Sequence, residues 1–327
     1  MRHPERAFFK GLGAAAPNKV LSNHDIEKLV DTSDEWIRTR TGIERRHVAD
    51  DNSNTLTLAT EAGRKALLDA GVEPEEVDMI ILGTLTPYIG FPATACLVQN
   101  ALGARNAAAV DINAACSGFV YGLHLAQGLI RSGANRNVLL IGAETMSRIV
   151  NWKDRNTCVL FGDAAGAALL APGSGREDSA GVLGTYIRSD GVQPEMLCRI
   201  AGGTRPVATE EENYLQMSGK DVFKRAVTAM GDAAELILRQ TGFSGEDVTL
   251  LIPHQANMRI IEATARRVNI PMEKVVVNIQ EYGNTSAATI PVAMAEAKAS
   301  GRMRSGDLVL MVAFGAGMTW GAALARM

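Results

Sequence analysis

The chain repeats itself. Residues 71–82 align with residues 242–253 at a spacing of 171, each stretch reading as a glycine-marked helix end, a turn and a buried apolar run. Residues 110–118 align with 278–286 at a spacing of 168, and the same spacing carries Ser132-Gly133 onto Ser300-Gly301. The run 138–141 matches 308–311. Four matches in one order, at nearly constant spacing, define two similar halves. The polar, turn-rich stretch 171–178 marks the join, which divides the chain into 1–172 and 173–327.

Each half reads as strand, helix, strand, helix, strand. The apolar runs at 79–82, 138–141, 250–252, 275–277 and 308–312 are too short for helices and suit buried strands of a mixed or parallel sheet. Helical spacing covers 55–70, 117–132, 220–241, 257–268 and 286–300. The expected fold is therefore α/β, with helices covering both faces of each sheet. Helices starting near Ser117 and Ser286 are expected to be buried between the halves. The uncharged stretches 79–104, 112–130 and 308–325 are interrupted by Pro87 and Pro92, by Asn113, His124 and Gln127, and by Phe314-Gly315-Ala316-Gly317. None is the unbroken apolar run of a membrane helix. With a net charge of -3, a general nucleic-acid binder is excluded. The four cysteines form no paired motif, and the N-terminus does not read as a signal peptide. Together they predict a cytoplasmic protein without disulfides.

Three side chains stand out chemically. Cys116 precedes a helix, whose N-terminal N–H groups and dipole favour a thiolate. The 168-residue spacing sets Asn284 opposite it. His254 ends the strand 250–252 and can reach the same junction, where its Nε2 can donate to a developing oxyanion. Each has a plainer reading: a buried structural thiol, a satisfied core histidine, a helix N-cap. Cys, His and Asn together permit a thiol hydrolase or a thioester-forming enzyme that stabilises an enolate. No two His or Cys lie at metal-ligand spacing.

Other features are less specific. Gly11-Leu12-Gly13 and the glycines of Gly162-Asp163-Ala164-Ala165-Gly166 complete no phosphate-binding pattern and read as packing glycines. Trp36, close to Arg38 and Arg40, can stack a base and pair its phosphates, or simply pack on an amphipathic helix. Arg259, Arg266 and Arg267 form a basic helical face that suits an acidic partner, or solvent. Cys96, Cys158 and Cys198 read as structural.

Taken together, 30–37 (Val-Asp-Thr-Ser-Asp-Glu-Trp-Ile), 39–43, Ala114-Ala115-Cys116-Ser117-Gly118-Phe119, Phe161-Gly162-Asp163, Pro253-His254-Gln255-Ala256-Asn257 and Gly283-Asn284-Thr285-Ser286-Ala287-Ala288 resemble 3-oxoacyl-[acyl-carrier-protein] synthase III over essentially the whole chain. The resemblance implies a thiolase-like fold of two pseudo-twofold halves in α-β-α-β-α layers, and a homodimer. It implies acetyl-CoA or another short acyl-CoA as primer and malonyl on acyl carrier protein as extender. Both are substrates; no cofactor, nucleic acid or membrane is implied. Cys116 would be the acylated nucleophile, with His254 and Asn284 holding the malonyl thioester carbonyl. Backbone N–H groups of Cys116 and of the turn containing Ala316 would form the oxyanion hole. Trp36, Arg40 and Arg155 fall on CoA-binding positions, and Thr32, Phe161 and Phe314 on substrate-binding ones. Phe223, Ala256 and Asn257 fall on substrate-tunnel positions, Arg259 near its mouth, and Phe91 on the residue that closes the acyl pocket of the neighbouring subunit. Lys220 and Ala316 depart from the family's usual Asn and Gly. A branched or medium-chain primer, or a role in secondary metabolism, is the nearest alternative, and a Cys-His-Asn hydrolase a distant one.

Overall fold

A computed structural model describes residues 6–173 and 180–327. Most of the expected join, 174–178, and the first five residues lie outside the described residues. The first half supplies β1 (Ala7–Ala15), β2 (Met79–Gly83), β3 (Ala108–Ile112), β4 (Val138–Thr145) and β5 (Asp163–Pro172). The second supplies β6 (Gly181–Ser189), β7 (Leu250–Pro253), β8 (Leu308–Gly315) and β9 (Thr319–Arg326). The main helices are α1 (Asp34–Thr41), α2 (Thr55–Ala70), α3 (Thr94–Leu102), α4 (Gly118–Arg131), α5 (Gly219–Thr241), α6 (Met258–Arg267) and α7 (Thr289–Ala299).

The sheet orders repeat as the sequence does. One sheet runs β1-β5-β4-β2-β3 and the other β6-β9-β8-β7. In each, the short apolar strand is parallel to its neighbour (β2 to β4, β7 to β8), and the next pairings are antiparallel. The run 275–277 was expected as a strand. Only Val275 pairs, as an isolated bridge to Leu251, because the chain turns into the short helix Ile279–Tyr282. That bridge takes the place β3 holds in the other half. Strands β1, β5 and β9 carry too many Ala and Gly residues to show as β signals, and burial on a crowded sheet selects them instead, whereas β6 carries Val, Leu, Thr, Tyr and Ile and is only partly buried.

Local chemistry fixes the helix ends. Asn54 caps α2 in a reciprocal pair with Thr57, and Gly71 closes it in a left-handed conformation (φ 64°). Gly242 closes α5 in the same way (φ 78°). Helices α2 and α3 cover one outer face, α5 covers the other, and α4 and α7 touch both sheets from between them. The buried faces they carry, running along both helices, suit that central layer. The glycines of β1 are packing residues, since a Cβ on Gly11 or Gly13 would lie 2.2 Å from a carbonyl of α2. Among the described residues, no helix is long and apolar enough to cross a membrane.

The halves meet in a register different from the one expected. Ala115 (φ 46°) and Ser286 (φ 50°) are both left-handed. Each opens a 3-10 turn, Ala115–Ser117 or Ser286–Ala288, that runs into α4 or α7. The Oδ1 of Asn113 accepts the Ala115 N–H (3.2 Å) just as that of Asn284 accepts the Ser286 N–H (2.9 Å). The counterpart of Asn284 is therefore Asn113, and that of Cys116 is Ala287. The spacing of 171 holds through the site, and the 168 alignment was carried by small residues common to both turns. The turns are seated crosswise. A Cβ on Gly142 of β4 would lie 2.3 Å from the Ala287 carbonyl, and one on Gly315 of β8 would lie 2.7 Å from the Cys116 nitrogen.

Candidate active site

Cys116, His254 and Asn284 line one cavity of about 1100 Å3 at the junction of the halves. Phe161, Phe223, Ala256, Asn257, Phe314 and Ala316 line it too. Thr32, Trp36, Arg40, Phe91, Arg155 and Arg259 are not among the lining residues.

The cysteine turn is held by β9. Ser117 donates its hydroxyl to the Thr319 carbonyl (3.1 Å), and Thr319 donates its own to the Ala114 carbonyl (2.8 Å). Cys116 is buried, and burial pushes its thiol up to about 12. Burial thus favours the neutral thiol in the free protein, opposing the helix N-terminus.

His254 follows β7, and its N–H reaches the Val312 carbonyl of β8 (2.8 Å). Burial drives the imidazole down to about 3, so it is neutral at ordinary pH. Its Nδ1 lies 2.8 Å from the Thr289 hydroxyl. Asn284 is tied to the chain near Phe161: its N–H donates to the Leu160 carbonyl (2.9 Å), and its carbonyl accepts from Gly162 (3.1 Å). It does not cap α7. Because its Oδ1 is occupied by the Ser286 N–H, the amide NH2 is the group left for the cavity.

Around the mouth, Arg155 stacks on Trp36 at 4.6 Å and donates to the Asp31 carbonyl. Arg259 lies over Phe223 at 5.2 Å. The Asn257 amide holds the Arg40 carbonyl (2.9 Å) while its Oδ1 caps α6. The Thr32 hydroxyl oxygen is buried with no hydrogen-bond partner among the described residues. Of the basic face, Arg267 is neutralised by Asp232 and Glu235. Phe91 is 88% exposed and contributes nothing to its own chain's cavity. Cys96, expected to be buried, is exposed, and Cys198 lines the cavity.

Sequence reasoning missed two groups here. Thr289 carries no signal beyond its place at the start of a helix. Glu144 does carry one, as an acid directly after the apolar run 138–143.

A buried thiol, a neutral imidazole and a primary amide converging on one cavity suit acyl transfer through a cysteine thioester. The chain is a condensing enzyme of thiolase-like fold and an acyltransferase. Residues 110–191 match the model of 3-oxoacyl-[acyl-carrier-protein] synthase III, and residues 238–327 match its C-terminal model. The beta-ketoacyl-[acyl-carrier-protein] synthase III of Caldanaerobacter subterraneus subsp. tengcongensis is 51% identical, over 97% of this chain and 96% of its own. The crystal structure of 3-oxoacyl-[acyl-carrier-protein] synthase III from Aquifex aeolicus superimposes with a TM-score of 0.92 at 48% identity, covering 98% of this chain and all of that one. The priming beta-ketosynthase of the R1128 polyketide pathway superimposes with a TM-score of 0.93 at 33% identity, covering all of this chain and 98% of its own. The chain belongs to the beta-ketoacyl-[acyl-carrier-protein] synthase III family.

Proposed function

We propose that the protein catalyses the initiating condensation of fatty-acid synthesis. Cys116 takes the acyl group of acetyl-CoA or another short acyl-CoA. Malonyl on acyl carrier protein then loses CO2, and its carbanion attacks the acyl-cysteine, giving 3-oxoacyl product and free Cys116. His254 and Asn284 hold the thioester oxygen on which the enolate charge develops, and no strong base is needed because decarboxylation supplies the carbanion. The N–H groups of Cys116 and Ala316 hold the acyl-transfer oxyanion. The observation that carries the reading is the convergence of Cys116, His254 and Asn284 on one cavity.

Trp36, Arg40, Arg155 and Thr32 then take the nucleotide end of CoA, and Arg259 lies near the tunnel mouth. Phe161, Phe223, Ala256, Asn257 and Phe314 line the channel. The working unit is a cytoplasmic homodimer in which Phe91 closes the partner's acyl pocket, each subunit folding as halves 1–172 and 173–327. No cofactor enters the reaction.

A second reading, with a branched or medium-chain primer, is favoured by the cavity's volume and by the likeness to a polyketide-priming synthase. Intact mass and peptide mapping after incubation with a panel of acyl-CoAs, without extender, tests both. An acetyl adduct on Cys116 supports the first reading, and preference for longer or branched chains supports the second. No adduct with any acyl-CoA overturns the priming mechanism and returns the hydrolase to consideration.

A further inference from the structure

One charged group next to the asparagine turn has no role in that mechanism. Glu144, at the end of β4, is fully buried, and its hydrogen-bond partners among the described residues are all uncharged. One of its oxygens is tied to its own half. Oε2 accepts the hydroxyls of Thr84 (3.2 Å) and Thr86 (2.5 Å) and the Thr86 N–H (3.1 Å). Thr86 is itself fixed, its hydroxyl oxygen taking the Thr145 N–H (2.9 Å) and its carbonyl the Thr55 hydroxyl (2.6 Å). The other oxygen reaches across the junction, where Oε1 accepts the hydroxyl of Ser286 at 3.0 Å. The Leu85 N–H lies 3.2 Å from both oxygens.

The repeat shows that the fold does not require this pair. The spacing of 171 carries Glu144 onto Gly315 and Ala115 onto Ser286. The strand registers agree, with Leu82 facing Ile141 in one half and Pro253 facing Val312 in the other. Ala115 and Ser286 hold the same left-handed conformation (φ 46° and 50°), so this turn forms without a hydroxyl. The cysteine turn thus stands on a glycine and an alanine where the asparagine turn has an acid and a serine. Burial also pushes the Glu144 carboxyl up to about 7, so above that pH its charge weighs against folding. An acid that the other half does without, joined to the one turn that carries Asn284, points to what that turn does.

Ser286 stands between the acid and the amide. Its hydroxyl goes to Glu144, and its N–H donates to Oδ1 of Asn284 at 2.9 Å. The backbone of Asn284 is already anchored to Leu160 and Gly162, so what the Ser286 N–H adds is the rotation of the side-chain amide. We propose that Glu144 is a positioning residue for Asn284: seated on the 84–86 segment, it fixes Ser286, and Ser286 turns the Asn284 NH2 towards the enolate oxygen. No proton moves in this role. A donor stabilises a developing charge only where it is correctly placed, and a displacement of about 1 Å can cost up to about 100-fold in rate. The inference rests on Asn284 holding the malonyl thioester oxygen.

The test is a double-mutant cycle on malonyl-CoA decarboxylation in the wild type, Ser286→Ala, Asn284→Ala and the double variant, with acylation of Cys116 by acetyl-CoA measured beside it. Ser286→Ala installs the residue that the twin turn already uses. It should lower kcat for decarboxylation about 10-fold, leave KM nearly unchanged and alter acylation by less than about 2-fold. Glu144→Ala should show the same pattern, and where it does not fold Ser286→Ala alone decides. In the double variant the loss should equal that of Asn284→Ala, because an absent amide cannot be misplaced. Losses that multiply overturn the proposal and make the pair a general support of the fold. Decarboxylation by Ser286→Ala at the wild-type rate, or equal slowing of both half-reactions, overturns it too. An Asn284→Ala variant that decarboxylates like the wild type sinks instead the reading on which the proposal rests.

Discussion

The hydroxyl of Thr289 lies 2.8 Å from Nδ1 of His254 and 3.1 Å from the Ser286 carbonyl, an acceptor that already receives the N–H of Thr289 itself. A neutral imidazole has one N–H, so this hydroxyl governs which nitrogen bears it. When Thr289 donates to Nδ1, the proton sits on Nε2 and faces the cavity. Thr289→Val keeps the shape and removes that donor. Malonyl decarboxylation and condensation should fall by about 10-fold to 100-fold, with Thr289→Ser restoring most of the loss. A histidine 15N spectrum showing the tautomer unchanged in Thr289→Val would refute this role.

Asn284 and its counterpart Asn113 should separate the two halves' contributions. Asn284→Ala removes the amide proposed to hold the malonyl carbonyl and should lower condensation about 100-fold while acyl-Cys116 still forms. Single-turnover acylation measured beside overall turnover checks the split. Equal loss in both steps would assign Asn284 to the backbone turn alone.

Gly315 is required by close approach. Its missing Cβ leaves room for the Cys116 nitrogen, which an added methyl would meet at 2.7 Å. Gly315→Ala should displace the N–H proposed to hold the acyl oxyanion and slow acylation by about 10-fold or more, with little change in the far-ultraviolet circular dichroism. A variant that acylates normally would show that the cysteine turn can shift freely.

Trp36 and Arg155 form a stacked pair on the surface that the nucleotide of CoA is proposed to use. Trp36→Ala should raise KM for acyl-CoA by about 10-fold and leave kcat nearly unchanged, the mark of binding shared by ground and transition states. An unchanged KM would move the nucleotide site elsewhere.

Stability should respond to pH through two buried groups of opposite sign. His254 is held near 3 in the folded chain and returns to about 6.5 on unfolding. The unfolded state therefore binds the extra proton, and stability is lost as pH falls from 6.5 towards 3, by up to about 5 kcal/mol. Glu144 is raised from 4.5 to about 7, so its contribution is full below 4.5 and is lost as pH rises through 7. Urea denaturation across this range should show a shallower acid limb in His254→Gln. An acid limb identical to the wild type's would mean that the imidazole is solvated in the folded state.

Much of this is legible in the sequence. The repeat, the central helices and the strands β2, β4, β7 and β8 follow from apolar runs bounded by glycine turns. The Ala-rich strands were hidden because their stability comes from what covers them, not from side-chain preference. The site showed itself through residue types that do chemistry: a cysteine and an asparagine before helices and a histidine after a strand. What sequence could not supply was register. A slip of three residues in a turn of small side chains paired Cys116 with Asn284, although the backbone pairs Asn113 with Asn284. Nor could it supply the thiol's protonation state, which depends on how fully the surrounding chain excludes water.

The crosswise seating of the two turns bears on how such a chain can change over time. The end of β4 receives the asparagine turn, and the end of β8 receives the cysteine turn, each crossing from one half to the other. Neither half expressed alone would carry a finished nucleophile or a finished enolate site, since each lends its partner the floor on which the partner's reactive residue rests. A substitution in either strand end is thus inherited by both half-reactions. Two halves joined in this way cannot be parted into separate working pieces.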